Sequence, residues 1–449
     1  MFLKPRFIVS SDEEMSPELL EKFITEHQSY LFYYEKLKGM YEDDYEIFRY
    51  EKKERYKPDN RIAVNFARYI VNTFNGYFAG IPIKVSHEKE EVDEYLAFID
   101  GYNNQDDNNS ELSKLCSIYG HAYELIFNDE EGNIGLTYIN PMECFVVYDN
   151  SIRKKPKFGV RYFINDEGDI EGTYSDENKI VYFDSSGGEI RFTEEEIHPF
   201  DGVPIIEYVE NEERKGIVES VESLINAFNK AISEKANDVD YYADAYLVIL
   251  GAELDNKMLE NFRDKRTINV GEFEGENIEV KFLEKPNNDN TQENLLDRLE
   301  RLIFQISMVA NISERNFGDS SGVALRYKLQ PMDNLATMKE RKFTGSLNRR
   351  YKIIASYPGN VLSQDDWVNI KYVFSRKLPA NLLEESNIAK NLKGIVSDET
   401  VVSGLSIVDN AKEEIERIEK EKEDKGQLFE RVNFTDNREV SRYDENQKY

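Results

Sequence analysis

The sequence predicts an α+β chain of several domains, and three observations carry that expectation. Its 449 residues are too many for one small domain. Apolar residues recur at helical spacing near both ends of the chain, whereas residues 121–209 switch to period two. Two long amphipathic stretches, 216–242 and 290–309, bracket a compact insert that opens with an apolar strand. Helices and strands are therefore segregated along the chain, and residues 121–209 read as a meander rather than a βαβ nucleotide-binding domain.

Taken in order, Pro17 opens a helix over 17–38, with Leu20, Phe23, Ile24, His27, Leu31 and Leu37 on one face. Ile62, Phe66, Tyr69, Ile70, Thr73 and Phe74 mark a second helix, and Ile81–Val85 a strand. Residues 88–111 hold nine acids against one lysine and predict a short helix and a solvated loop around Gln105-Asp106-Asp107-Asn108-Asn109, before a helix over Ser113–Gly120. Strand candidates are Ala122–Asn128, Gly159–Ile164, Lys179–Asp184, Glu189–Thr193 and Pro204–Val209, parted by turns such as Glu131-Gly132-Asn133 and Glu167-Gly168-Asp169.

Ile217, Val221, Leu224, Phe228, Ile232 and Val239 form the core stripe of the first long helix. The insert reads as strand Ala245–Leu250, a helix near Lys257–Arg263, and strands near Thr267–Val270 and Ile278–Leu283. Asn290 is placed to cap the second long helix with Glu293 reaching back, and Leu295, Leu299, Leu302, Ile306 and Val309 form a heptad seam. A Gly/Ser loop, Asn311–Gly322, leads to a third helix over Val323–Ala355 that Pro331 should kink. Val368–Phe374 is a late strand, helices follow near 380–393, 398–404 and 409–424, and the polar last 25 residues or so read as disordered.

The composition narrows the function. With 57 Lys and Arg against 87 Asp and Glu, the net charge is −30, which excludes a protein that grips nucleic acid over a broad basic face. Two cysteines, Cys116 and Cys144, supply neither a disulfide framework nor a thiolate cluster. The N-terminus lacks the apolar core of a signal peptide, and the longest apolar run is six residues, so neither export by that route nor membrane insertion is expected. No phosphate-cradling glycine loop, H-E-x-x-H or C-x-x-C occurs, and His27, His87, His121 and His198 are scattered. Asp238-Val239-Asp240 and Asp365-Asp366 arise readily in so acidic a chain; neither a metal nor another cofactor is expected. Cys116 lies on an apolar helix face, as a structural thiol does.

One segment runs against the overall charge. Residues 326–352 hold eight basic residues, Arg326, Lys328, Lys339, Arg341, Lys342, Arg349, Arg350 and Lys352, against Asp333 and Glu340. Two readings stand: contact with a polyanion, or pairing with acidic neighbours in this or another subunit.

Several blocks resemble the bacteriophage portal proteins, the head-to-tail connectors of tailed phages, of the kind found in siphophages of Gram-positive hosts. They are Asn60-Arg61-Ile62 with Tyr69-Ile70-Val71-Asn72 and Gly76-Tyr77-Phe78-Ala79-Gly80-Ile81-Pro82-Ile83; His198-Pro199-Phe200-Asp201-Gly202-Val203-Pro204; Ser223–Lys230 with Ala236-Asn237-Asp238; Phe317–Leu325; and Gly394–Thr400. The resemblance spans about residues 15 to 425. It implies a portal-type chain: an α/β wing with antiparallel strands (1–212), a two-helix stem (213–244 and 289–310), a small α/β clip (245–288), a tunnel loop (311–322), a long kinked helix with a wing strand (323–376), a helical crown (377–425) and a tail (426–449).

The resemblance further implies a non-enzymatic ring, of twelve subunits, at one capsid vertex of the virion, assembled in the host bacterial cytoplasm. Its partners would be double-stranded DNA, the terminase large subunit, a head-completion or adaptor protein, and the major capsid and scaffolding proteins. The loop residues Asn311, Ser313, Glu314, Arg315, Asn316, Phe317, Gly318, Asp319, Ser320, Ser321 and Gly322 would face DNA, with Arg315 as their single base. The competing expectations are an acidic cytoplasmic hydrolase with an unrecognised carboxylate pair, and a monomeric minor capsid or adaptor protein.

Overall fold

The computed structural model describes residues 4–243 apart from 5, 55 and 56, then 247–250, 279–282, 289–312, 322–376 apart from 364, 382–405, 407–408 and 411–422. In chain order come β1 (Phe7–Val9), α1 (Pro17–Glu42), α2 (Phe66–Phe78), β2 (Lys84–Ser86), α3 (Glu90–Tyr102), α4 (Gln105–Tyr119), β3 (His121–Asn128), β4 (Ile134–Ile139) and β5 (Cys144–Asp149). There follow β6 (Pro156–Ile164), β7 (Ile170–Ser175), β8 (Lys179–Asp184), β9 (Arg191–Ile197), β10 (Ile205–Val209), α5 (Glu222–Ala243), β11 (Leu247–Leu250) and β12 (Glu279–Phe282). The remaining elements are α6 (Asp289–Ser307), α7 (Gly322–Ala355), β13 (Lys371–Val373), α8 (Leu382–Leu392) and α9 (Asp398–Ser403), with residues 411–422 also helical.

Strands β5 to β9 form an antiparallel meander, and β1 joins the β5 edge in parallel. A second sheet has the order β10-β3-β4. Helix α1, whose first turn is capped by the Ser16 side chain accepting from the Leu19 amide, lays Leu20, Phe23 and Ile24 against Phe145, Val147 and Val160 of the meander. Ile205, Tyr123 and Ile139 of the second sheet share that core. Beside it, Phe78 of α2, stacked on Phe74, meets Phe343 of α7, which packs 4.9 Å, ring to ring, from Tyr208 of β10. Among the described residues, those within 1–313 and 328–377 form one unit by contact, and those within 314–327 and 378–449 another.

Several expectations need correction. The acidic stretch 88–111 is two helices, and Gln105, Asn108 and Asn109 are buried rather than solvated, because each finds hydrogen-bonding partners inside the protein. Strand β5 escapes a period-two search because Cys144, Phe145, Val146 and Val147 are all buried, covered on both faces. Strands β1, β4 and β7 lie outside the expected strand ranges.

Helix α5 begins at Glu222, not at 216: Ile217 donates its amide to Ser117 O (2.9 Å), and a Cβ on Gly216 would lie 2.3 Å from Ile118 O. That crossing with the end of α4 holds the chain out of helix. Helix α6 already includes Asn290, so Asn290 is not its cap, and Glu293 pairs with Lys235 instead of reaching back. Helix α7 holds Pro331 within one continuous helix, which is compatible with the expected kink. The late strand is shorter than expected and follows a 3-10 turn at Asp366–Asn369. The helix expected near 257–263 and the strand near 267–270 lie outside the described residues.

Candidate functional site

Helix α7 carries the basic segment, and two of its eight cations face inward. Arg350 is completely buried; its Nε donates to Glu124 Oε2 (2.8 Å), and its Nη2 to Glu124 Oε1 (2.7 Å) and Asn109 Oδ1 (2.8 Å). Glu124 also accepts from Gln105 Nε2 (3.1 Å) and the Tyr208 hydroxyl (2.9 Å), so four elements meet at one carboxylate. Burial disfavours the Arg350 charge, but Glu124 and the rings of Tyr208 and Tyr351 outweigh it and hold the guanidinium well above its usual pKa. Lys339, equally buried, pairs with Glu210 (2.7 Å), donates to Ser113 O and Ser117 Oγ, and lies among the rings of Phe74, Phe78 and Phe343. Burial raises the Glu210 carboxyl despite that partner.

These two cations are thus spent on acidic neighbours inside the chain. Lys342 reaches Glu212 at 2.6 Å, and Arg349 is half-buried, its pKa drawn down by burial. Arg326, Arg341 and Lys352 are exposed, and Lys328 is partly so.

A second constellation fixes the base of α5. Asn229, Ser233 and Asn237 recur every four residues, one helical turn apart, and all are buried. Val64 N donates to Asn229 Oδ1 (2.8 Å), Ile62 N to Ser233 Oγ (2.9 Å) and Asn60 N to Asn237 Oδ1 (2.6 Å). Four helical residues rise about 6 Å and two extended residues about 6.6 Å, so alternate amides of the segment fall in step with the helix. Composition and motif searches did not assign these three residues a role; the period of four in an otherwise apolar stripe was their available signal.

Helices α5 and α6 run antiparallel. Near one end Lys235 pairs with Glu293, and Gln292 donates to Asp238 (2.9 Å); near the other, Phe228 and Phe304 both pack on Phe66. Between them the chain includes the antiparallel pair β11–β12. The stripe that α6 buries is offset from the expected seam: Leu296 and Ile303, which lie outside that seam, are buried along with its last member Val309, while Leu295 and Ile306 are 49% and 46% exposed. Met308, in left-handed backbone (φ 61°), ends α6; Asn311 Nδ2 then donates to Glu300 and Ile312 N to the Tyr69 hydroxyl. The rest of the loop, Ser313 to Ser321, lies outside the described residues, so Glu314, Arg315, Asn316, Phe317, Gly318, Asp319 and Ser320 are not placed; Gly322 starts α7.

Cys116 and Cys144 are buried, and burial raises both thiols. His27 is held in the core between the Tyr162 hydroxyl and Pro141 O, its pKa lowered by burial to about 4. Among the described residues no group of three or more His, Cys, Asp or Glu is placed to hold a metal ion, and no helix is long and apolar enough to cross a membrane.

Over residues 20–428 the sequence matches the family described as "Phage portal protein, SPP1 Gp6-like". The portal protein of Clostridium phage phiCD119 is 23% identical over 437 residues, 91% of this chain and 94% of that one. The portal protein of Bacillus phage SPP1 is 23% identical over 391 residues, 81% of this chain and 76% of that one. A solved chain described as "Neck of empty GTA particle computed with C6 symmetry" aligns over 75% of this chain and 89% of that chain at 14% identity, with a TM-score of 0.46, too low to carry an argument. On the strength of a match that spans nearly the whole sequence, the chain belongs to the phage portal protein family, whose members are structural virion components rather than catalysts.

Proposed function

We propose that this chain assembles into a ring at one capsid vertex and lines the channel through which double-stranded DNA enters during packaging and leaves at ejection. The observation that carries the reading is the family match over residues 20–428. The antiparallel pair α5–α6 flanking β11–β12 supports it as a stem bearing a clip, and the exposed Leu295 and Ile306 suit helices that a neighbouring copy covers. A net charge of −30 per copy suits a wall past which phosphates slide, since tight DNA binding needs many cation contacts that release counterions.

In this reading residues 1–212 form the wing, 323–376 the long helix and wing strand, and 377–425 the crown. Twelve copies make the ring; the terminase large subunit and a head-completion protein dock on it, and major capsid and scaffolding proteins surround it. The exposed Arg326, Arg341 and Lys352 remain for DNA or neighbouring subunits. The loop 311–322 touches DNA: Gly318 and Gly322 give it conformational freedom, and Arg315 is balanced by Glu314 and Asp319. Replacing Gly318 and Gly322 together with isoleucine should permit ring assembly yet block DNA packaging in an infection assay. Normal packaging by that variant would remove the loop from the mechanism.

A further inference from the structure

A cleft of about 220 Å³ opens beside the ends of β1, β5 and β10, lined by Arg6, Lys154 and Arg214, by Glu207 and Glu212, and by Ile8, Tyr148, Val209 and Asn211. Three cations against two carboxylates leave it net positive, in a chain that is otherwise strongly acidic. Its own carboxylates are already engaged. Glu207 takes Arg214 Nη2 and the Tyr148 hydroxyl, both at 2.5 Å, and Glu212 takes Arg6 Nη2 (3.2 Å) and Lys342 Nζ (2.6 Å). Arg214, only 8% exposed, is committed to Glu207, so the accessible cation of the cleft is at its rim. Lys154, exposed on the rim, makes no ion pair among the described residues.

We infer that this cleft receives an acidic side chain from a second copy of this chain, so that it is a point of subunit contact on the wing. The inference rests on the ring assembly proposed above. Charge complementarity selects the occupant: a single carboxylate matches the lining, which carries one positive charge in excess. A DNA strand fits worse, because its closely spaced phosphates would be set against Glu207 and Glu212 as well as the cations. The exposed side chain of Ile8 (46%) beside Lys154 gives an apolar rim against which a protein segment, unlike a phosphodiester, can pack. Another copy supplies acids in plenty, with 87 against 57 basic residues.

The test uses the purified full-length chain as an equal mixture of unlabelled and 15N-labelled protein. After assembly it is treated with a carbodiimide, which joins a lysine amine to a carboxylate already in contact with it, and read by mass spectrometry. Mixed-isotope links between Lys154 and an Asp or Glu are expected. Lys154→Glu should raise the concentration at half-assembly about tenfold while leaving the melting temperature of the unassembled chain unchanged, and Lys154→Arg should assemble as the parent does. Rings in which Lys154 is linked only within one copy, or to nothing, would overturn the inference and leave the portal reading standing. If the parent chain forms no rings, the portal reading fails, and the inference fails with it.

Discussion

Lys339 and Arg350 account for two of the eight positive charges that set α7 apart, and both sit where apolar residues belong. Leu329, Met332, Ala336, Lys339, Phe343, Leu347, Arg350 and Ile354, all buried, follow one another at steps of three and four. Charge counting hid this register, whereas helical spacing contained it; their partners, Glu124 on β3 and Glu210 just after β10, are distant in sequence, and no local pattern points to them. Removing one member of such a pair strands the other in the interior. Arg350→Met should therefore cost about 3–5 kcal/mol in denaturant unfolding, and Glu124→Gln in the same chain should recover part of the loss, because the amide no longer needs a cation. Equal costs for the single and double variants would contradict the pairing. Asp100 gives a pH signature: burial, only partly countered by Arg350, raises its pKa to about 6. Its folded form holds a proton that the unfolded chain releases from about pH 3.8 upward, so stability is lost as pH rises through 6. Asp100→Asn should match the parent near pH 4 and exceed it by on the order of 3 kcal/mol at pH 7.5. A gap that does not change with pH would count against this.

The extended segment 60–64 and helix α5 are joined by a rule of spacing rather than by apolar packing. Each of Asn229 and Ser233 satisfies an amide that would otherwise be buried without a partner. Asn229→Ala and Ser233→Ala should each cost about 1–3 kcal/mol, and amide exchange at Val64 and Ile62, respectively, should accelerate by about tenfold for every 1.4 kcal/mol lost. Unchanged exchange at those amides would show that the segment is held by other contacts. At this scale the sequence was readable wherever one face alone is buried: α1, α2, β6 and β8 fall close to the expected ranges. It was unreadable where burial is two-sided, as in β5, or where polar side chains are buried because they are bonded, as Gln105 and Asn109 are in α4. The start of α5 was displaced by a backbone crossing with residues 117–118, a contact across about a hundred residues.

For the whole molecule, residue blocks in a fixed order carry the resemblance to the family, and the order of elements agrees with it: a helix, an insert with paired strands, a second helix, a Gly/Ser loop and a long basic helix. The proposed assembly would draw on surfaces that one chain leaves open: the exposed Leu295 and Ile306 on α6, and the net-positive cleft at Arg214 and Lys154. The central claim is that copies close into a ring around a channel, and negative-stain images of the purified full-length protein, with its mass measured in the same buffer, test it most directly. The account predicts rings with a central hole and the mass of about twelve chains. A monodisperse globule with the mass of one chain would contradict it.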